Sequence, residues 1–315
     1  MTAMGSALEN ICIASDAVGL VPEIRLRSEP TRPTLAFSAS FSRGSPSKHA
    51  DDNLKLVYAR VTNRRLGDGR PLAEDDAAAL NASVLDTNAQ LHLLKSPEQL
   101  MAIGDLLGKA DHFLLTNKEL HHDMMKEIRW TAAEAQATRD GLELASLELS
   151  KADEAGMRVL RQWRAMDFLR RAGAGRGLEK PARKATAAAS GVGLLTYRGT
   201  GPESYLMGGR SLARLWGTAS SRGLAFQPHS AIIYLFARLE RGRGENLTPE
   251  QIETLRSLRQ QFKTLFDVTE ENSEVLLFRV SYAGPPTTRS MRRELDDVLS
   301  YVAPEPMRSV EAVTA

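Results

Sequence analysis

"SYLMGGRSLARLWGTASSRGLAFQPHSAI", Ser204 to Ile232, changes its periodicity midway. Tyr205, Leu212, Leu215, Trp216 and Ala219 recur at helical spacing and line one face of a long helix expected from Glu203 to Arg222. Gly223 stops that helix, because glycine takes the left-handed C-terminal position without a Cβ penalty. The stretch after it, "GLAFQPHSAI", is apolar and is broken by Pro228 and His229. It reads as a buried strand with a turn, or as backbone against which a flat aromatic ligand could lie.

The same grammar occurs once more near the start of the chain. "MGSALENICIASDAVGL", Met4 to Leu20, aligns without gaps on "GGRSLARLWGTASSRGL", Gly208 to Leu224. Gly5, Leu8, Gly19 and Leu20 fall on Gly209, Leu212, Gly223 and Leu224, and Ile11 falls on Leu215. A strand-like segment follows each copy, with Ser40–Phe41 set against Ser281–Tyr282, and then Leu54 against Leu295. Shared helix grammar would give some of these matches. An internal repeat would give them all, making residues 1–56 the tail of one repeat and residues 57–302 a second, nearly whole one.

Working outward, a first helix is expected from about Ala3 to Val18, then a segment spaced by Pro22, Pro30 and Pro33, then a strand over Thr34–Phe41. Helices are expected at Asp51–Ala59, Glu74–Asn88, Pro97–Thr116, Lys118–Ala137, Asp153–Arg171 and Leu178–Ala189. Ser190–Arg198 reads as a buried strand and Glu274–Gly284 as the strongest strand. Thr248, Pro249 and Gln251 spell a capping box at the start of a further helix. "PPTTRSMRRELDDVLSY" is expected to be a turn feeding a last helix, with residues 303–315 as a flexible tail. Helices flanking a small, mostly antiparallel sheet make an α+β protein.

With 315 residues the chain can bury a sizeable core, and a net charge of +2 makes no case for a nucleic-acid or membrane partner. Basic residues outnumber acidic ones from Lys151 to Lys184, but Arg158, Arg161, Arg164, Arg170 and Arg171 are mostly spaced as a solvated helix face. Cys12 is alone, so no internal disulfide forms, and neither a leader nor a membrane-length apolar run is evident; the cytoplasm is the expected setting. The histidines, His121-His122 among them, have no metal-ligand spacing. GxSxG, Walker-type and GxGxxG patterns are missing, which lowers hydrolase, nucleotide-phosphatase and dinucleotide readings.

Two arginine clusters remain. "YARVTNRRLGDGRPL", Tyr58 to Leu72, sets Arg60, Arg64, Arg65 and Arg70 around Thr62 and Asn63. Guanidinium groups with a hydroxyl suit a phosphate, although the cluster could equally pair with surface carboxylates. "TTRSMRREL" holds Arg289, Ser290, Arg292 and Arg293 at the expected start of the last helix, where an anion is favoured, with Glu294 as the competing partner. A lone His229 after a proline is weak evidence for an acid or base.

Together these pieces resemble the flavin-dependent nitroreductase family. "RVTNR", Arg60 to Arg64, is similar to that family's arginine-rich phosphate loop; Ser204–Ile232 looks like its long helix and ring-facing strand; "VLLFRVSYAGPPTTRSMRREL", Val275 to Leu295, resembles its closing strand and basic turn. "MKEIRWTAAEAQATRDGLEL", Met125 to Leu144, is similar to a subgroup in which two such halves share one chain, sometimes beside a ThiF-like domain. The resemblance implies FMN as cofactor, held at its phosphate by Arg60, Thr62, Asn63, Arg64, Arg289 and Arg292, with Pro228 and His229 against the flavin ring. It implies a cofactor-driven oxidoreductase with NAD(P)H as donor and nitro or quinone compounds as acceptors, and no obligatory side-chain acid or base. In place of the family's usual motif after its first helix stands "LDTNAQLHLL", Leu85 to Leu94, and the first repeat lacks its head. Those departures keep a second expectation in view, a flavin-sequestering protein of the same fold, and a homodimer or partner chain that completes the site.

Overall fold

The computed structural model describes residues 1–27, 34–85 and 87–301; Pro30, Pro33, Val302 and the expected tail lie outside the described residues. Helix α1 (Thr2–Ala17) ends at Gly19, whose φ of 69° is the left-handed conformation expected there. Strands β1 (Leu20–Leu26) and β2 (Phe37–Arg43) pair antiparallel as a separate two-stranded sheet. β1 falls where only a proline-spaced segment was expected. Pro22 is tolerated because β1 is an edge strand, where a missing donor leaves no ladder bond unmade. Helix α2 (Ala50–Ala59) follows.

Helix α3 (Glu74–Ala82) stops short of the expected Asn88, and Ala89–Leu94 beyond it forms β3, a strand that was not expected. Helix α4 (Pro97–Thr116) has the expected bounds, set by a capping box between Ser96 and Gln99. The next expected helix is broken into α5 (Lys118–Glu127), the short strand β4 (Ile128–Arg129) and α6 (Ala132–Thr138). Thr131 and Glu134 form a fresh capping box there, which starts a new helix rather than continuing the old one. β5 (Leu142–Glu143) pairs with β4, and α7 (Lys151–Leu160), α8 (Trp163–Arg171) and α9 (Lys180–Ala187) follow. The single helix expected over Asp153–Arg171 is thus two, parted at Gln162, which has extended backbone.

The last part holds β6 (Gly191–Arg198), α10 (Pro202–Ser221), β7 (Ala225–Pro228), α11 (Ser230–Glu240), α12 (Pro249–Phe266) and β8 (Asn272–Ser281). α12 starts at the expected Thr248–Gln251 box. The strand expected after Gly223 ends at Pro228, and a helix takes over. The expected terminal helix does not form: among the described residues beyond β8 there is only a short 3-10 turn at Leu295–Asp297.

β3, β6, β8 and β7 lie in that order, every pair antiparallel. Successive residues of a strand face opposite ways. Leu194 accordingly joins a core with Ile103, Phe236 and Phe262 from α4, α11 and α12. Leu195 joins another with Leu80, Leu215 and Trp216 from α3 and α10. The architecture is α+β, a small antiparallel sheet between helical layers.

α1 packs across α10 at backbone distance. A Cβ placed on Gly5 would fall well inside contact with the Leu206 carbonyl and 3.0 Å from Gly209 Cα. A Cβ on Gly209 would collide in the same way with the Thr2 carbonyl and lie 3.1 Å from Gly5 Cα. Ser6 Oγ donates to Gly209 O at 2.8 Å, and the buried Glu9 carboxylate accepts from Arg210 at 2.8 Å and Arg214 at 2.6 Å.

Candidate functional site

The arginine loop leaves α2 at Arg60 and is pinned from two sides. Asn63 N–H donates to Phe226 O of β7 at 2.9 Å, and Asn63 Nδ2 donates to Gly284 O, just past β8, at 2.9 Å. Asn63 Oδ1 accepts from Arg65 N–H at 3.1 Å, so both ends of this buried amide are used. The effect is to tie the loop to the chain that follows β8. A cavity of about 490 Å³ opens between them, with Arg60, Thr62, Trp216, Arg289, Ser290 and Arg292 on its walls. That volume is within the roughly 300–1,000 Å³ of ordinary small-molecule sites.

The charges in this cavity are poorly compensated. Burial pushes the Arg60 guanidinium below its usual pKa, and the like charge of Arg292 pushes it the same way. Arg60 stands over the Trp216 ring, 5.0 Å from its centroid, and its Nε is buried without an acceptor. Trp216 Nε1 is likewise buried and unpartnered. Each unmade bond of this kind costs about 1–3 kcal/mol unless something accepts it. Arg289 donates to Tyr58 O at 3.2 Å and Ala59 O at 2.7 Å, the carbonyl end of α2, where a cation is favoured. Among the described residues Arg292 has no ion pair or hydrogen bond, and Glu294, its expected competitor, pairs with Arg139 instead. Among the described residues no carboxylate lines the cavity wall.

Arg60, Thr62, Arg289 and Arg292 therefore meet in one place, although more than two hundred positions separate the first from the last. Asn63 is a tether, as above. Arg64 Nη1 donates to Ser146 O at 3.1 Å, away from the cavity wall. Pro228 ends β7 opposite Phe278. His229 N–H donates to Leu277 O at 2.7 Å, while its Nε2 is enclosed without a partner. Burial first, then the charges of Arg279 and Arg64, bring the His229 pKa down to about 3, so the ring is neutral at ordinary pH. Trp216 is the wall residue that helical periodicity alone had assigned to core or rim. It is buried in the core with Leu195 and Leu215, and only the folded loop brings Arg60 over its ring.

Behind the loop, Arg279 is buried within the sheet. Its Nε donates to Gln227 Oε1 at 2.5 Å, Nη1 to Ala185 O at 3.1 Å, and Nη2 to Arg64 O at 2.7 Å and Arg65 O at 2.9 Å. All of these acceptors are neutral. Most of the basic stretch on α7 and α8 has local partners: Arg158 pairs with Glu154, Arg170 and Arg171 with Asp167, and Arg161 lies over Trp130. No helix among the described residues is long and apolar enough to cross a membrane.

No family model matches the chain. It is 28% identical over 313 residues to Uncharacterized protein MT1398 of Mycobacterium tuberculosis (strain CDC 1551 / Oshkosh), a match covering 97% of the chain. The chain spans 41% of that protein's length. Among solved structures it is similar to a nitroreductase with bound FMN from Bacteroides fragilis NCTC 9343, with TM-score 0.44, 9% identity, and coverage of 80% of this chain and 98% of that one. The FMN-dependent nitroreductase NfnB from Mycobacterium smegmatis in complex with NADPH gives TM-score 0.44 and 12% identity, covering 80% and 99%. Oxidized iodotyrosine deiodinase bound to FMN and 3-iodo-L-tyrosine gives 0.42 and 12%, covering 79% and 98%.

Proposed function

We propose that the chain binds FMN as a nitroreductase-like oxidoreductase and reduces nitro or quinone compounds with NAD(P)H. One observation supports this above the others. Arg60, Thr62, Arg289 and Arg292 line one cavity free of carboxylates, in which two buried donors, Arg60 Nε and Trp216 Nε1, lack acceptors. A phosphate dianion fits that donor set, since it brings several acceptor oxygens and two negative charges. Arg60, Arg292 and Arg289 would hold it, with the Thr62 hydroxyl as a neutral donor. When bound, the flavin supplies the hydride chemistry. This chain's residues bind and orient it. Pro228 and the neutral His229 would be reached by the ring rather than by the phosphate.

The reading includes a cytoplasmic setting and a second copy or partner chain that closes the cavity. It also takes residues 1–56 as the tail of an upstream half-repeat. The reciprocal collisions of Gly5 with Leu206 and of Gly209 with Thr2 support that, because each residue meets its partner's sequence equivalent, as about a two-fold axis. With Leu20 set on Leu224, Val21 pairs Ser42 and Ala225 pairs Ser281, which moves the strand alignment two residues from Ser40 to Ser42.

A flavin-sequestering role is the second reading. It is favoured by "LDTNAQLHLL", Leu85 to Leu94, which stands where the family carries its usual motif after the first helix. The absorption spectrum of protein purified without added cofactor tests both, a flavin giving a band near roughly 450 nm. NAD(P)H consumption with a nitroaromatic or quinone then separates enzyme from sink. Colourless protein whose melting temperature does not rise with FMN overturns both readings.

A further inference from the structure

The Arg139-Asp140-Gly141 turn does not line the cavity, yet it and Glu148 grip the loop that supplies two of the cavity's arginines. Pro285–Glu294 has neither helix nor strand, and ordering such backbone costs about 1–2 kcal/mol per residue. Arg65 donates to Pro285 O and Arg289 to the end of α2, and three further ties from residues 139–148 offset that cost. Glu148 Oε1 accepts from Thr287 N–H at 2.7 Å and from Thr287 Oγ1 at 3.0 Å. Asp140 Oδ2 accepts from Arg293 at 3.0 Å while its Oδ1 accepts from Arg129 at 2.5 Å. Arg139 pairs with Glu294.

Backbone conformation aims these groups. Arg139, Gly141 and Glu148 are all left-handed, at φ 51°, 69° and 56°. For Arg139 and Glu148 that is a conformation that surrounding structure must hold in place. The ties also bracket the useful arginines, with Thr287 before them and Arg293 and Glu294 after. They sort the charges as well: Arg293 is matched by Asp140 and Glu294 by Arg139, which leaves Arg289 and Arg292 without a carboxylate beside Arg60.

We propose that Asp140 and Glu148 are positioning residues that fasten the Thr287–Glu294 loop at both ends, so that Arg289 and Arg292 face Arg60 across the cavity. What the arginines hold rests on the flavin reading above; the fastening does not, and can be read without ligand.

The test uses the full chain carrying Asp140→Asn, Glu148→Gln or both. Amide exchange of residues 285–294 is followed by mass spectrometry without ligand, and FMN affinity by quenching of flavin fluorescence. Each variant is expected to speed loop exchange roughly tenfold, with β6 and β8 unchanged, and to weaken FMN binding roughly tenfold, the scale of one charge-assisted bond. Asp140→Glu should restore part of both. Unchanged loop exchange in the double variant overturns the proposal whether or not FMN binds. Faster exchange with unaltered affinity overturns the positioning role. If the unmodified protein binds no FMN, the flavin reading fails by itself; inorganic phosphate then serves as the probe, and the same tenfold loss is required.

Discussion

Gly5→Ala places a methyl group against the Leu206 carbonyl, a backbone atom that cannot rotate away. The helices must then part by about 1 Å or more, a gap that forfeits a quarter to a half of each dispersion contact across it. Leu8, the fully buried leucine of α1, and Ser6, which donates to Gly209 O, lose most. Overpacking of this kind costs about 1–3 kcal/mol, against which alanine's higher helix propensity returns just under about 1 kcal/mol. Gly5→Ala and Gly209→Ala are therefore each expected to destabilise by up to about 2 kcal/mol in urea unfolding. The double variant should cost less than the sum, because helices already parted for one methyl have room for the second. Gly217→Ala, on the same helix with open space around it, is the control and should stabilise by about 0.5–1 kcal/mol. If Gly5→Ala stabilises as Gly217→Ala does, the close approach of α1 and α10 is not a feature of the folded protein.

Arg60→Ala combined with Arg292→Ala should weaken FMN binding by about 2–4 kcal/mol with little change in melting temperature, read by flavin fluorescence; unchanged affinity would put the phosphate elsewhere. His229, with a folded pKa of about 3 against an ordinary 6.5, binds a proton more readily when unfolded. Its contribution to stability is complete above pH 6.5 and drains away as pH falls toward 3, and His229→Gln should flatten that slope in unfolding measured across the window. Arg259, itself nearly buried, bridges the buried Glu274 at 3.1 Å and also meets Glu240 and Glu270. Arg259→Ala strands Glu274 and should cost about 3–5 kcal/mol in chemical unfolding, whereas a cost under about 1 kcal/mol would mean that water reaches that carboxylate.

Elements whose ends are written in local chemistry were legible. Ser96-Pro97 and Thr248-Pro249 fixed the starts of α4 and α12, and Gly19 and Gly223 fixed the stops of α1 and α10. β3 was not legible, because Ala89–Leu94 becomes a strand by pairing with β6, some hundred residues away. The missing last helix shows the converse. "SMRREL" has helix-like local grammar, but Asp140 and Arg139 take its Arg293 and Glu294 side chains, and Glu148 holds the Thr287 backbone just before it. Of the site, each arginine cluster was readable from its charge, while the meeting of Arg60 with Arg289 and Arg292 was expected only from the family resemblance. Asn63 and Arg64 belong to the same short cluster, yet successive loop residues point different ways, and only folding decides which of them face the cavity.

Arg279 carries its charge in the sheet with neutral groups as its only hydrogen-bond acceptors and the like charge of Arg64 nearby. Mobile ions cannot crowd around a cation enclosed by protein as they do around a surface lysine. Its field must spread outward through the arginine loop, so this face should keep drawing anions at ionic strengths that silence the exposed pairs elsewhere on the molecule.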